Sequence, residues 1–440
     1  MHEMNKRLAS VGVKIAHIIL PAKDVDLEKW AVIACDQFTQ DAGYWGAAEA
    51  TARGAPSALN LIYPEIYLGR NDKNERVERI HKTMRSYIET MYTGNAVLNP
   101  PRQAGVFVER MTRHGVRRGA LIAVDLEQYD WRAGSQSMIR ATEGTLPERL
   151  PPRMDIRRGA ALELPHIMLL VDDRENILMT LLEKLLANAP TAYDTRLMLD
   201  GGSVRGRLMY RKNDWDLISD VLEHLARLSI NRYKIENPFL FAVGDGNHSL
   251  AAAKAVWDEF KLAHAGENGI ENHAARYALA ETVNLYDPAV VFEPIHRVAF
   301  NADADRLVKA LGALDGFSVS DVDGRERLQR MVSDAGAEES RCGIVSGKRF
   351  ALVKYSGGGI ATADIDPLLE GLEIDFIHGE EELFRVATEN RSASGALLPP
   401  FNKNTLFETI ARTGPLPRKS FSIGDAREKR YYLECRRLFC

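Results

Sequence analysis

The chain has 440 residues, of which 45% are hydrophobic, so it is long enough to form two or more domains with separate cores. Its 57 basic and 61 acidic residues give a formal net charge of −4, which argues against a broad electropositive surface for nucleic acid. Four cysteines lack the CxxC spacing of zinc ribbons and form no disulfide pattern: Cys35, Cys342, Cys435 and Cys440. No apolar run of about 18 residues and no secretory signal pattern occurs, so we expect a cytoplasmic protein without a membrane partner.

Strands and helices are mixed throughout the first 300 residues. Two short buried runs, HIIL and AVIA, predict strands near the N-terminus, and the apolar spacing of residues 77–94 predicts a helix closed by Gly94. Residues 105–126 predict a β-hairpin with a polar turn. The other predicted elements are a buried strand or the start of a helix over 164–173, a helix over 214–230, a buried strand at FLFAVG (239–244), and strands over 275–285 and 290–300.

The pattern changes after about residue 300. A predicted helix over 302–313 is followed by SGKRFALVKYSGGG, which predicts a hairpin with SGGG (356–359) as its turn. The mixed charge of residues 425–438 is typical of a solvated helix face or an oligomer contact. We therefore expect a mixed α/β protein, with an α/β core over residues 1–300 and a smaller α+β portion over 301–440. The second portion is expected to contribute to the site or to a homo-oligomer contact.

The junction after the strand FLFAVG is the first functional candidate. Five small or polar residues occupy it: Asp245, Gly246, Asn247, His248 and Ser249. The first N–H groups of a helix have no internal acceptor and lie at the positive end of its dipole, so they attract anions. Gly244 and Gly246 permit close approach of a phosphate to the main chain. The junction has neither the GxxxxGK[ST] nor the GxGxxG motif.

The side chains of this junction have two interpretations. Asn247 or Ser249 is a candidate helix cap, and His248 is a candidate acid, base or anion donor. In the alternative interpretation, the segment is only a tight turn before a capped helix, and His248 and Asn247 serve that turn.

DGNH at the end of a strand resembles the DGHHR-type signature of the bacterial and archaeal domain of unknown function 1015 family. Six further stretches resemble the same family: ILPAKDVDLEKWAVIACDQFTQDAGYW (19–45), IRATEGTLPERLPPR (139–153), LELPHIMLLVDD (162–173), YALAETVNLYDPAVVFEPIHRV (277–298), LEIDFIHG (372–379) and LPRKSFSIGDAREKRYYLE (416–434). The family is named for lacking a function. Many members carry arginine after the histidine, whereas here Ser249 follows His248, so Arg140 or Arg297 would have to supply a guanidinium to a phosphate.

The strand, polar loop and helix are also similar to the nucleotide-binding element of the ParB and sulfiredoxin superfamily, which includes nucleases, nucleotide-hydrolysing partition proteins and a free-serine kinase. This resemblance implies a ParB/sulfiredoxin-like core whose loop holds nucleotide phosphates, with Mg²⁺ as the companion of the nucleotide. Members of the domain of unknown function 1015 family are often encoded near enzymes of serine biosynthesis. That association makes serine or phosphoserine the leading substrate.

Other candidate groups follow predicted strands. Asp36 and Gln37 come directly after AVIA, where ligand groups of open α/β sheets gather, and Asp36 is a candidate acid or base. The neighbouring Cys35 is interpreted as a small buried thiol and not as a nucleophile. In IRATEG, Arg140 is suited to bidentate binding of phosphate and Glu143 to accepting a hydroxyl proton, with a structural ion pair as the alternative.

Three further groups have competing interpretations. Glu163 and His166 have the i, i+3 spacing of a metal pair, but the proline between them argues against a helix, so no metal site is predicted. Arg297 is a better anion ligand than its neighbour His296. In PLPRKS, Lys419 is a candidate substrate clamp, with a charged surface loop as the alternative.

Together these residues predict phosphoryl-group chemistry, transfer or hydrolysis, on a small polar phosphorylated metabolite. The loop 244–249, Arg140 and Lys419 would bind phosphate, while Asp36, Glu143 or His248 would move the proton. A nucleotide- or metabolite-binding regulator without turnover is the alternative. A DNA-associated protein is disfavoured by the net acidity.

Overall fold

The computed structural model describes residues 2–334, 340–357, 360–390 and 392–439. Its helices are α1 (His2–Ser10), α2 (Leu27–Trp30), α3 (Ala42–Ala52), α4 (Lys73–Glu89), α5 (Leu150–Arg157), α6 (Ile177–Leu186), α7 (Lys212–Tyr233), α8 (Asn247–Ala263), α9 (Ala304–Leu311), α10 (Arg325–Ser333), α11 (Ala361–Ile365), α12 (Glu380–Glu389) and α13 (Leu406–Thr413). Cys440, and Gly358 and Gly359 of the expected SGGG turn, lie outside the described residues.

The strands are mostly short and are distributed along the whole chain. They are β1 (Val13–Lys14), β2 (His17–Ile18), β3 (Val32–Ile33), β4 (Arg102–Gln103), β5 (Gly105–Thr112), β6 (Gly115–Asp125), β7 (Tyr129–Asp130), β8 (Ile139–Ala141), β9 (Leu162–Glu163), β10 (Ile167–Val171), β11 (Thr191–Arg196), β12 (Ser203–Met209), β13 (Phe241–Asp245), β14 (Tyr277–Asn284), β15 (Phe292–Phe300), β16 (Ser318–Asp321), β17 (Ser340–Ser346), β18 (Arg349–Tyr355), β19 (Glu373–His378), β20 (Ala393–Leu397), β21 (Phe421–Ile423), β22 (Tyr431–Tyr432) and β23 (Arg436–Arg437).

The first of two compact units comprises Met1–Val291, Leu406–Pro415 and Asp425–Cys440. Its main sheet has the order β11-β12-β5-β6-β14-β10-β13-β8-β7, with β1 paired to β6. The pairs β14/β10, β13/β8 and β8/β7 are parallel, and the others are antiparallel. The sheet is therefore mixed, and helices such as α6, α7 and α8 are interleaved with its strands. This architecture confirms the predicted mixed α/β class.

The second unit comprises Phe292–Thr405 and Leu416–Gly424. Its sheet has the order β16-β18-β17-β20-β15-β19, with β21 paired to β15, and all of these pairs are antiparallel. The observed boundary after Val291 lies nine residues before the expected one, if residue 300 is taken as the end of the first portion. Residues 406–415 and 425–440, expected in the second portion, belong to the first unit.

Most predicted elements are present, and two differ in detail. The hairpin β5/β6 and the strands β10, β13, β14 and β15 are confirmed. The helix predicted over 77–94 begins earlier, at Lys73, and ends at Glu89, so Gly94 does not close it. The hairpin predicted to turn at SGGG is wrong: β18 pairs with β17 before it, across Gly347, and the next element in the described residues is the helix α11. Gly347 has a φ of 57°, which explains why this turn needs a glycine.

The segment predicted as a solvated helix face begins with a short 3₁₀ turn, Ala426–Glu428, and then runs extended and buried through Arg436. Tyr432 pairs with Val32, Cys435 with Ile19, and Arg436 with Glu163. The segment therefore forms β-pairings with three separate parts of the first unit. The high charge of this segment led to the wrong prediction of solvent exposure, because charged side chains of the segment form ion pairs inside the protein. Arg430 contacts both Glu281 and Glu434, and all three side chains are at most 4% exposed. None of the helices in the described part of the chain combines the length and apolar character needed to cross a membrane.

Replacing Arg430 by methionine should destabilise the first unit strongly. The change leaves the carboxylates of Glu281 and Glu434 buried without their shared cation, which typically costs about 3–5 kcal/mol. Arg205→Met is the matched control, because the half-exposed pair of Arg205 with Asp194 should contribute less than about 1 kcal/mol. All five tryptophans lie in the first unit, so urea unfolding followed by tryptophan fluorescence measures this difference. Equal losses in both variants would contradict the assignment.

Candidate functional site

Three strand ends meet at one edge of the main sheet. β13 ends at Asp245, opposite Met168 near the beginning of the antiparallel β10. β8 runs parallel to β13, and its last residue Ala141 lies beside Val243. His166, Asp245 and the residues after Ala141 therefore gather at this edge, at the point where α8 begins.

The loop between β13 and α8 depends on Gly246. Its φ of 81° lies in the left-handed region, and a Cβ there would lie 3.2 Å from Ile167 Cγ1 and 3.3 Å from Ile167 Cα. Gly246 is the N-cap residue of α8, and within the described residues no side chain caps this helix end. The N–H groups of the first turn therefore keep the anion affinity expected of an uncapped helix end.

Two polar residues of the loop fasten it to the neighbouring strand. Asn247 accepts a hydrogen bond from Thr142 N–H (3.2 Å) and donates to Thr142 Oγ1 (3.2 Å) and to Val243 O (3.3 Å). Nε2 of His248 accepts from Leu146 N–H at 3.3 Å. Neither side chain acts as the helix cap. These contacts give both residues structural roles, and their predicted roles toward a ligand stay predictions.

His166 is the centre of the polar cluster. Its Nε2 lies 2.9 Å from Ser249 Oγ and 4.0 Å from Asp36 Oδ2, and its Nδ1 lies 2.9 Å from Tyr432 Oη. When Nε2 carries the proton and donates it to Ser249 Oγ, Nδ1 can accept the hydroxyl proton of Tyr432. This arrangement orients the hydroxyl of Ser249 at the third residue of α8. Gln37 donates to Asp36 Oδ1 at 2.9 Å and holds the carboxylate in place.

Two carboxyl groups of the cluster have pKa values shifted in opposite directions. Burial raises the pKa of Asp245, and the nearby Asp36 raises it further against the opposing charge of Lys429. Burial also opposes ionisation of Asp36, but His166, the hydrogen bond from Gln37 and Lys429 outweigh it and lower its pKa. Asp36 is therefore the stronger acid, and Asp245 the group that holds a proton more readily. Such divergence is typical of acid–base pairs in active sites.

A cavity of about 140 Å³ opens beside the cluster. His166, Ser249, Tyr432 and Cys35 line its polar end, and apolar side chains line much of the rest, including Leu61, Ile62, Leu68, Met84 and Ile156. Two ion pairs also line it, Arg153 with Glu65 and Arg157 with Glu163. Apolar walls reduce screening by water, so charges at the polar end act more strongly on a bound molecule.

The thiol of Cys35 is not activated. Burial raises its pKa, and the neighbouring charges of Asp36 and Glu65 raise it further, so the thiol stays protonated near neutral pH. Its N–H donates to Tyr432 Oη at 3.2 Å, which links β3 to the C-terminal segment. Cys35 is therefore a half-buried residue of the cavity wall, and its protonated thiol agrees with the interpretation that it is not a nucleophile.

Four predicted ligand or proton-transfer residues lie elsewhere or are engaged. Arg140 is buried with its guanidinium 4.6 Å from the centroid of the Phe239 ring, and its Nε donates to Ser137 O at 2.9 Å. Glu143 is half-buried after β8, outside the residues that line the cavity. Arg297, in the second unit, is 1% exposed and paired with Asp366 at 2.8 Å. It also donates to the main-chain oxygen of Lys419, so we leave both residues out of the proposed site.

The structure brings together residues that the sequence interpretation had left apart. One cluster contains four of the predicted site residues, Asp36, Gln37, Asp245 and Ser249. The sequence analysis missed two further members, Lys429 and Tyr432. His166 was considered only as a metal ligand with Glu163, whose carboxylate is instead held by Arg157 and Arg436. A histidine directly before a buried strand was the available signal for His166. The pairing of β22 with β3, which brings Lys429 and Tyr432 near Asp36, has no local signal.

The chain belongs to a family described as "Protein of unknown function (DUF1015)", whose model matches residues 19–373. The resemblance seen in the sequence is thereby confirmed. No curated protein matches the chain.

Several solved structures are similar at low identity. A free serine kinase in complex with AMP has 12% identity and a TM-score of 0.38, with coverage of 71% of this chain and 90% of that chain. A conserved hypothetical protein from Pyrococcus furiosus has 12% identity, a TM-score of 0.35 and the same two coverages. SbnI with a C-terminal truncation, from Staphylococcus aureus, has 8% identity and a TM-score of 0.35, covering 69% and 83%. At these TM-scores the likeness carries no argument about activity, and the ParB/sulfiredoxin-like core stays a prediction.

Asp36→Asn should change the pH dependence of stability. Because the pKa of Asp36 is lowered on folding, its ionised form stabilises the protein above the ordinary aspartate pKa of about 3.9. This contribution is lost as the pH falls from about 3.9 toward the lower folded value. We expect wild type to be more stable than the variant at pH 7, with a difference that shrinks below about pH 4. Urea unfolding at several pH values measures it, with Asp194→Asn as the exposed control; a difference that grows on acidification would contradict the assignment.

Asn247→Ala should lower the free energy of unfolding even when no ligand is bound. The change leaves Thr142 N–H without the side-chain oxygen that accepts its hydrogen bond, which costs about 1–3 kcal/mol in a buried site. The exposed Asn272→Ala is the matched control, because its amide bonds only to neighbouring Glu271. Urea unfolding compares the two. A loss in Asn247→Ala no larger than in the control would show that Asn247 does not fasten the loop.

Proposed function

We propose that the cavity is the active site of an enzyme of phosphoryl-group chemistry, transfer or hydrolysis, on a small polar metabolite. The observation that supports it is the convergence of Asp36, His166 and Ser249 at the first turn of α8, where His166 and Ser249 also line the cavity. Phosphoryl transfer requires little covalent chemistry from the protein and depends on positioned donors and balanced charge. This cluster offers both.

The phosphate would bind at the beginning of α8. The N–H groups of the first turn and the hydroxyl of Ser249 are donors for its oxygens, and the helix dipole favours its negative charge. Arg153, which lines the cavity, can add a planar guanidinium that suits phosphate geometry. Arginine after His248 is therefore not required in this chain, since Ser249 at that position supplies a hydroxyl.

Asp36 is the proposed base. Its lowered pKa keeps it ionised at neutral pH, so it can take the proton of an attacking hydroxyl or water. The new O–P bond forms as the P–O bond to the leaving oxygen breaks. Asp245, whose pKa is raised, is the better group to return a proton to that oxygen, and Lys429 lies 3.8 Å from its carboxylate. His166 is a positioning residue that orients Ser249 through Nε2.

The size of the cavity suits a small substrate. A volume of about 140 Å³ accommodates a molecule of the size of serine or phosphoserine, which stays the leading substrate. When bound, a nucleotide would supply the phosphoryl group in the direction of transfer. In nucleotide sites Mg²⁺ keeps several waters and is held largely by phosphate oxygens, so the bound phosphates would hold it while Asp36 and Asp245 stay available for proton transfer. Within the described residues no group of three or more histidine, cysteine or acidic side chains forms a metal site.

The alternative function is a nucleotide- or metabolite-binding regulator without turnover. One observation favours it: Glu65 with Arg153 and Glu163 with Arg157 are already neutralised as ion pairs in the cavity wall. A site whose charges are balanced among themselves can hold a ligand without acting on it. The two functions differ in whether phosphate is released or transferred.

The test is a ³¹P NMR assay of the purified protein with ATP or ADP and serine, and separately with phosphoserine. Wild type should form a new phosphoester or release phosphate. Asp36→Asn should lower kcat by about 10²–10⁴-fold with KM largely kept, as expected on loss of a general base. Ser249→Ala should mainly raise KM for the phosphorylated substrate, because Ser249 binds and does not move the proton.

Asp194→Asn is the matched control and should keep kcat within about twofold, since its exposed carboxylate pairs only with Arg205 near it. Turnover unchanged in Asp36→Asn would overturn the role of Asp36. Saturable nucleotide or phosphoserine binding by calorimetry, with no turnover in wild type, would overturn the enzyme and support the regulator.

A further inference from the structure

A second cavity of about 350 Å³ lies in the first unit and shares no lining residue with the first. β1, the beginning of β14 and β23 contribute to it, together with the loop that carries Tyr92. Lys14, Tyr277 and Arg436 line its interior, and His17 and Arg437 are exposed around it. The phosphoryl chemistry proposed above makes no use of this cavity.

The lining of this second cavity carries an excess of positive charge. Its ionisable groups other than tyrosine are Lys14, His17, Arg436 and Arg437, and the described lining residues include no aspartate or glutamate. Arg436 is paired with Glu163, but the same carboxylate also pairs with Arg157 at 2.7 Å, so one glutamate serves two arginines. The neighbouring Asp125 is paired with Arg276 at 2.5 Å, so its negative charge neutralises Arg276 and not the cations of the cavity.

The surroundings of Lys14 destabilise its charged form. Its Nζ lies 4.1 Å from the centroid of the Tyr277 ring, inside a half-buried environment. Burial lowers its pKa, and the like charges of Arg436 and Arg276 lower it further against the opposing charge of Asp125. A cation–π contact compensates only partly for such desolvation. An anion in the cavity would relieve the repulsion among these groups.

An accidental basic surface is the competing explanation, because lysine stems commonly pack on apolar surface while their ammonium groups reach water. Two features argue against it here. The ammonium of Lys14 faces an aromatic ring inside a cavity, and a second aromatic side chain, Tyr92, is 73% exposed in the lining. Concave sites with few convergent charges and aromatic walls are typical of small-molecule sites.

We propose that this cavity is a binding site for a small organic anion, carrying phosphate or carboxylate groups, with Lys14 and Arg437 as its charged ligands and Tyr277 as its floor. Arg436 contributes positive charge to the site while staying bound to Glu163. The exposed Arg437 can move toward the ligand, whereas Lys14 is already in place.

Calorimetric titration with inorganic phosphate and, separately, with citrate tests the proposal at constant ionic strength set by chloride. Wild type should show saturable binding of at least one probe, and the tighter of the two identifies phosphate or carboxylate as the preferred group. Lys14→Met and Arg437→Gln should each weaken that binding by about tenfold, as expected for loss of one charge-assisted contact. Lys184→Met, an exposed lysine on α6, should leave it unchanged.

Ser249→Ala should retain this binding, which separates it from phosphate bound at the first cavity. Arg437 is exposed, so Arg437→Gln keeps the test valid even if Lys14→Met fails to fold. Protection of Lys14 from acylation by the same probe, read by peptide mass spectrometry, is an independent measurement. Absence of saturable binding in wild type, or binding that survives both substitutions, would overturn the proposal.

Discussion

The candidate site depends on the ion pairs made by the buried guanidinium of Arg430. This guanidinium lies between the carboxylates of Glu281 on β14 and Glu434, and its Nε donates to Pro165 O at 3.0 Å. Burial alone would lower the pKa of this group, but the two carboxylates raise it and keep the guanidinium charged. The C-terminal segment is thereby fixed inside the first unit. Lys429 and Tyr432, on either side of Arg430, reach Asp245 and His166 from this segment, which the pairing of β22 with β3 also holds in place.

The two carboxyl groups of the polar cluster differ through their neighbouring charges. Burial opposes the ionisation of Asp36, but His166, the hydrogen bond from Gln37 and Lys429 lower its pKa, whereas burial raises the pKa of Asp245 and Asp36 raises it further. The two groups therefore have different proton affinities. The uncapped beginning of α8 adds partial positive charge beside them. The proposed phosphoryl chemistry rests on these features.

Local sequence predicted much of the main sheet. The hairpin β5/β6 and the buried strand β13 are confirmed because alternation and continuous apolar runs report burial directly. The helix predicted over 77–94 is present, but its expected end at Gly94 and the hairpin turn expected at SGGG are wrong. Glycine occurs in many kinds of turn, and the pairing of the strands decides which glycine turns the chain. Within the site, Asp36, Asp245 and Ser249 were found because each follows or ends an apolar strand, where ligand groups gather.

The sequence by itself determined the mixed α/β class, the family and the position of the polar loop after β13, since these depend on periodicity and on residues adjacent in the chain. Only the tertiary structure decided that His166, Lys429 and Tyr432 join Asp36, and that Arg297 is held by Asp366. The physical reason is that a charged side chain carries no local sign of its partner. Charges of the segment 425–438 were interpreted as solvated, yet pairing across hundreds of residues allows them to be buried.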